Sequence, residues 1–222
     1  MIKKVNPAHN SQPGHRKMPA KTINPIREIA ELGPLILDKA LSIEEFAALS
    51  ARYPDLRMER EKNGKITIMS PVKFGSGNRE SIPLIYLGAW WLLKKSGKPF
   101  SASAGFKLPD GAIKSPDCGW ISDERLAQSP DKEMFLPVMP DFIVEVRSQT
   151  DRLAKVKNKM KNVWIKNGVR LAWLIDPYAE KAYIYRANGE VETVSGFEGK
   201  KLTGEDVMPG MELPLEELRI GQ

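Results

Sequence analysis

The chain has 222 residues, 41% apolar and 28% charged, which is globular composition and near the upper end of one ordinary domain. Its longest apolar runs, "AWWLL" and "LAWLI", fall far short of the roughly 18 residues that mark a membrane span. The single cysteine, Cys118, excludes an internal disulfide, so a cytoplasmic protein with no membrane partner is expected.

The formal charge of +6 belongs to the amino terminus. Lys3, Lys4, Arg16, Lys17, Lys21 and Arg27 occur there without an acid, and the rest of the chain balances 28 basic against 28 acidic residues. Both histidines, His9 and His15, lie in the same Pro-rich and polar stretch. Residues 1–33 are therefore expected to form a flexible basic tail and residues 34–222 a single folded domain. A folded part without histidine excludes Ser-His and Cys-His nucleophile pairs and histidine-based zinc sites. The chemistry left open runs through Asp, Glu, Lys, Tyr, Arg and an oxygen-bound cation, with Mg²⁺ or Mn²⁺ fitting best.

In chain order, "LSIEEFAALSARYPDL" places Ser42 and Glu45 at capping-box spacing and Pro54 at the far end, which predicts a helix between them. "KNG" between Arg57–Glu61 and Lys65–Met69 predicts a β-hairpin. A longer helix is expected from about Asn78 to Lys95; the glycines before it lack the spacing and lysine of a phosphate-binding loop. "FSASAGFKL" and "SPDCGWIS" read as strands around the turn "PDGA", and Asp123 starts a short helix. "DFIVEV" has the uninterrupted apolar character of a central strand covered on both faces. Asp151 is expected to open a helix lasting to about Lys166, closed by Asn167 and Gly168. "VRLAWLID" and "KAYIYR" complete a hairpin. Strand, helix and strand from Asp141 to Asp176 have the length of a parallel crossover, whereas the hairpins are antiparallel, so the fold class is α/β with a mixed sheet flanked by helices.

Two acids stand in apolar company, Asp117 in "SPDCGW" and Glu145 in "DFIVEV". A buried carboxylate is costly unless paired, and two on neighbouring strands repel unless a cation lies between them. From Arg147 to Arg170 eight basic residues meet one acid, Asp151, a local field that favours a phosphodiester backbone. Leu153, Val156, Met160, Val163 and Trp164 form the buried stripe of this helix, with Lys157 and Lys159 on its opposite edges. Periodicity does not choose between these two lysines.

"SPDCGWIS", "PDFIVEVRSQTDRL", "KM" and "NGVRLAWLIDP", together with "LSIEEFAALSARYPDLRMERE", "SGNRE", "GFKLPDGAIKSPD" and "LTGEDVMPGMELPL", resemble the Uma family of endonucleases in the PD-(D/E)XK superfamily. The resemblance runs from about residue 34 to the end. It implies a restriction-endonuclease-like core with an N-terminal helix and β-hairpin, in which Asp117 and Glu145 hold Mg²⁺ (or Mn²⁺) with the Val146 carbonyl as a further ligand. Lys159 takes the lysine position on the following helix. Arg147 stands where the superfamily usually has its lysine, and it clamps phosphate better than it moves protons. Glu80 occupies the place of an additional acid. Gln149 replaces the family's usual proline, and the interval from Lys159 to Gly168 reads one residue longer than the commonest form, which keeps Lys157 in contention.

The function expected is Mg²⁺-dependent hydrolysis of nucleic acid, DNA first, with Lys159 orienting or activating the attacking water and offsetting charge. Cutting both strands of a duplex favours a homodimer. Two alternatives are a nuclease-like fold kept as a DNA-binding or assembly module, and the same fold acting on another phosphorylated substrate.

Overall fold

The structure, a computed structural model, is described for residues 35–221. The expected tail, residues 1–33, with His9 and His15, lies outside the described residues. The chain begins with a short strand, β1 (Leu35–Leu37), followed by helix α1 (Ile43–Arg52). Its start is fixed by the expected capping box: Ser42 Oγ accepts from the Glu45 N–H and the Glu45 carboxylate accepts from the Ser42 N–H. β2 (Arg57–Arg60) and β3 (Ile66–Met69) form the expected hairpin, with Arg57 opposite Met69 and Arg60 opposite Ile66.

Helix α2 (Phe74–Lys94) starts a turn earlier than the sequence suggests. The N–H groups of Ser76 and Gly77 both reach the Lys73 carbonyl, so backbone bonds start the helix and carry the two glycines into it. The run "FSASAGFKL", expected as one strand, is two strands in different sheets. β4 (Lys98–Ser101) lies at the edge of the main sheet, and β5 (Phe106–Lys107) pairs with β6 (Ile113–Lys114) in the other. The chain turns between them at Ser101–Ala104, and Gly105 packs so closely that a Cβ would lie 2.5 Å from the Phe135 ring.

β7 (Cys118–Ile121), helix α3 (Asp123–Leu126) and β8 (Phe142–Val146) follow, and all five residues of β8 are buried. The next helix is a composite. α4 (Leu153–Lys159) passes into a π turn (Met160–Trp164) and a 3₁₀ turn (Ile165–Asn167), and Gly168 ends it at φ 104°. Asp151 stands outside the helix it was expected to open; its carboxylate accepts from the N–H and hydroxyl of Ser148 in the preceding loop. β9 (Leu171–Asp176) then runs parallel to β8, completing the crossover, and β10 (Lys181–Arg186) and β11 (Val191–Ser195) extend the sheet antiparallel.

The main sheet has the order β11-β10-β9-β8-β7-β4, with β8 and β9 its parallel pair. A five-stranded sheet has the order β1-β3-β2-β6-β5. β12 (Lys201–Thr203) and β13 (Glu212–Pro214) pair separately, followed by a 3₁₀ turn (Leu215–Leu218). Strand alternation separates two cores. Val144, Trp173 and Ile184 pack with Leu87 and Trp90 of α2, whereas Ile143, Ala172, Leu174 and Tyr183 pack with Met160, Trp164 and Phe106. No helix among the described residues is long and apolar enough to cross a membrane.

Candidate active site

Glu145 follows Val144 on β8, and alternation turns it to the face that Ile143 shares with Met160 and Trp164. β7 runs antiparallel to β8 with Cys118 opposite Val144, so Asp117, one residue before Cys118, comes level with Glu145. The contacts there are direct. The Asp117 N–H donates to the Val144 carbonyl at 3.2 Å. Its Oδ2 accepts from the Val146 N–H at 2.8 Å, and its Oδ1 from Arg57 Nη2 at 3.2 Å.

Glu145 Oε1 accepts from Trp164 Nε1 at 2.8 Å and lies 2.8 Å from Lys159 Nζ. Lys159 also lies 3.7 Å from Glu59 Oε1 on β2. Glu59 in turn accepts from Lys114 Nζ at 3.0 Å and from the Ser115 N–H at 3.2 Å, and Lys114 reaches Glu61 as well. The result is a chain of alternating charges running from the five-stranded sheet to the main one, with side chains almost wholly out of water at Glu59, Lys114 and Glu145.

Each charge state has a local cause. Burial raises the carboxyl of Glu145 above its ordinary range, and the charge of Asp117 adds to this against the opposing pull of Lys159. Burial also works against the Lys159 ammonium, but Glu145 and Glu59 outweigh it and hold that group well above the usual lysine range. Glu59 is pushed up by burial, yet the charges of Lys159 and Lys114 bring it below the usual carboxylate range. Glu80, half-buried on α2, is raised to about 7 by burial, then by the charge of Asp117.

Asp117, Glu145 and Lys159 therefore influence one another directly, and Glu80 feels the charge of Asp117. Two other residues singled out in the sequence are engaged elsewhere. Arg147 Nε lies 2.9 Å from Asp176 Oδ2 in an ion pair that is not an aligned hydrogen bond, its Nη1 donates to the Asp151 carbonyl, and its guanidinium covers the Tyr178 ring. Lys157 turns to the other flank of α4, with Nζ 3.8 Å from the Tyr183 ring centroid. The interval from Lys159 to Gly168 contains the π turn, where the Ile165 N–H bonds back to the Met160 carbonyl.

Sequence reasoning missed Glu59, Lys114, Arg57 and Trp164. Glu59 lies in "RMERE", where alternation gives it a polar face of the hairpin; that this face meets Lys159 rather than water is a property of how the two sheets pack. Trp164 was read as core, and its ring is buried, but its N–H serves Glu145.

Among the described residues no group of three or more His, Cys, Asp and Glu side chains is disposed to hold a metal ion. A cation that keeps several waters needs only one or two carboxylates, as Mg²⁺ does. The donor set fits that case. Asp117 and Glu145 retain free lone pairs beyond the bonds described, and no protein donor among the described residues reaches Glu145 Oε2. Two adjacent acids, one of them pushed toward its neutral form, form the environment a cation relieves.

The structure resembles that of a "putative nuclease belonging to DUF820" from Anabaena variabilis, at 18% identity and a TM-score of 0.65 over 80% of this chain and 97% of the other. That likeness concerns the fold, which is restriction-endonuclease-like. No curated protein matches the chain. The model of the Uma2 family, described as "putative restriction endonuclease", matches residues 43–216. The chain, with Asp117, Glu145 and Lys159 all inside that span, belongs to the Uma2 family.

Proposed function

We propose that the protein is a divalent-cation-dependent endonuclease that hydrolyses phosphodiester bonds of nucleic acid, DNA before RNA. One observation supports this above the others: Asp117 and Glu145 share the end of a strand pair, with Lys159 Nζ 2.8 Å from Glu145. In this reading Asp117, Glu145 and the Val146 carbonyl hold Mg²⁺ or Mn²⁺. The bound cation supplies Lewis acidity and lowers the pKa of water.

Lys159 stays charged between Glu145 and Glu59, so its role is to orient water and offset negative charge building on the phosphoryl oxygens; it does not take a proton. Burial and then the charge of Asp117 raise the Glu80 carboxyl to about 7, and in this reading Glu80 is the acid that accepts the proton. Trp164 and Arg57 fix the two carboxylates in orientation. Paired cuts on a duplex call for two copies of this site, which a homodimer provides.

The test is cleavage of supercoiled and linear DNA and of RNA, with Mg²⁺ or Mn²⁺, by the wild type and by Asp117→Asn and Glu145→Gln. Cation-dependent cleavage by the wild type that both variants lose supports the proposal. Retained DNA binding without cleavage under any of these conditions would replace it with the binding-module alternative.

A further inference from the structure

Lys157, displaced from the catalytic cluster, lines a groove of about 400 Å³ between α4 and strands β10 and β11. One wall carries Lys157, Asn158 and Lys161 from a single face of the helix, and the floor carries Tyr183, Tyr185 and Thr193. The two tyrosines are 5% and 2% exposed, and neither hydroxyl has a hydrogen-bond partner among the described residues although both side chains line the groove. Neither Lys157 nor Lys161 has an acidic partner there. The nearest acids on β11 and its turn, Glu192 and Glu190, are taken by Arg186. Two phenol hydroxyls open to the groove, beside two ammonium groups without acid partners of which Lys157 lies over the Tyr183 ring, form a donor set suited to an anion with several acceptor oxygens.

The register relates the groove to the catalytic cluster. Glu145 lies opposite Leu174, Leu174 opposite Tyr183, and Tyr183 opposite Thr193, so all four form one row across the same sheet face. Tyr183 is two strand spacings from Glu145, about 10 Å. α4 rises between them, with Lys159 on one flank, Lys157 on the other and Lys155 exposed.

We propose that this groove binds a backbone phosphate of the nucleic acid, a second contact point on the opposite flank of α4 from the catalytic cluster. The proposal deepens the nuclease reading and rests on it for the identity of the ligand. Lysine and tyrosine on a phosphate position a strand without reading its sequence. The contact therefore adds affinity and salt dependence, with no sequence preference.

The test is equilibrium binding of a fluorescent DNA duplex in EDTA, across a salt series, by wild type, Lys157→Ala/Lys161→Ala, Tyr185→Phe and Lys166→Ala. The double variant should lower affinity about tenfold or more and make the slope of log K against log salt shallower by about one unit. Tyr185→Phe, which removes a hydroxyl alone, should weaken binding by about threefold. Lys166→Ala, a charge on the same segment outside the groove, should change the slope less. The proposal is overturned if the double variant matches Lys166→Ala in affinity and in slope, and displacement of the duplex by inorganic phosphate from wild type and not from the double variant supports it. Loss of cleavage in wild type with these binding differences intact would instead overturn the nuclease reading and leave the groove standing.

Discussion

Lys159 joins the two acids on which this account depends, and its removal has two separable consequences. Lys159→Met leaves Glu145 and Glu59 buried without their shared cation, a situation that costs about 3 kcal/mol in comparable buried pairs. In the proposed reaction the same change removes the charge that would face the phosphoryl group, for an expected loss of about 100-fold or more in rate. Lys159→Arg keeps the charge in a planar fork of different reach, so urea unfolding should show stability largely restored while single-turnover cleavage stays impaired. Glu80 sets a pH dependence with a defined sign. Its folded-state value, about 7, lies above the ordinary 4.5, so its penalty is fully present above pH 7 and gone below about pH 4.5. In EDTA the wild type should therefore gain stability relative to Glu80→Gln as pH falls from 8 to 5.5, measured by urea midpoints at each pH. A constant difference between the two proteins would rule this out.

At the scale of elements, the site depends on how closely β7 approaches β8. Gly119 makes that approach possible: a Cβ there would lie 2.3 Å from the Phe142 carbonyl oxygen and 2.5 Å from the Phe100 ring. Gly119→Ala should destabilise the protein by about 1–3 kcal/mol or more, read as a lowered unfolding midpoint, because one obstacle is backbone and cannot move aside alone. Local signals in the sequence located most elements. Ser42 and Glu45 capped α1, the Asn-Gly turn closed the β2–β3 hairpin, and the apolar run of β8 marked a doubly covered strand. The π turn was not legible, since 3.6-residue periodicity has no means of showing an i→i+5 bond. The split of "FSASAGFKL" was hidden because alternation continues through a turn that changes sheets.

Across the whole molecule, the crossover from β8 to β9 was read correctly from length, whereas Asp117 and Glu145 come level through the separate antiparallel pairing of β7 with β8. The choice of Lys159 over Lys157 was not in the periodicity, which put both at the edges of the buried stripe; family register favoured Lys159, and its 2.8 Å approach to Glu145 agrees. The five-stranded sheet that brings Glu59, Lys114 and Arg57 to the site could not be placed from sequence, because the contacts that carry it to the site, Arg57 to Asp117 and Glu59 to Lys159, join residues far apart in the chain. The account's central claim is that Asp117 and Glu145 together form a divalent-cation site. Calorimetric titration of metal-free protein with Mn²⁺ at pH 7.5 tests it directly. The account predicts saturable binding in the wild type that is lost in the doubly substituted Asp117→Asn/Glu145→Gln protein. Binding of equal strength in both proteins, or none in the wild type, would contradict it.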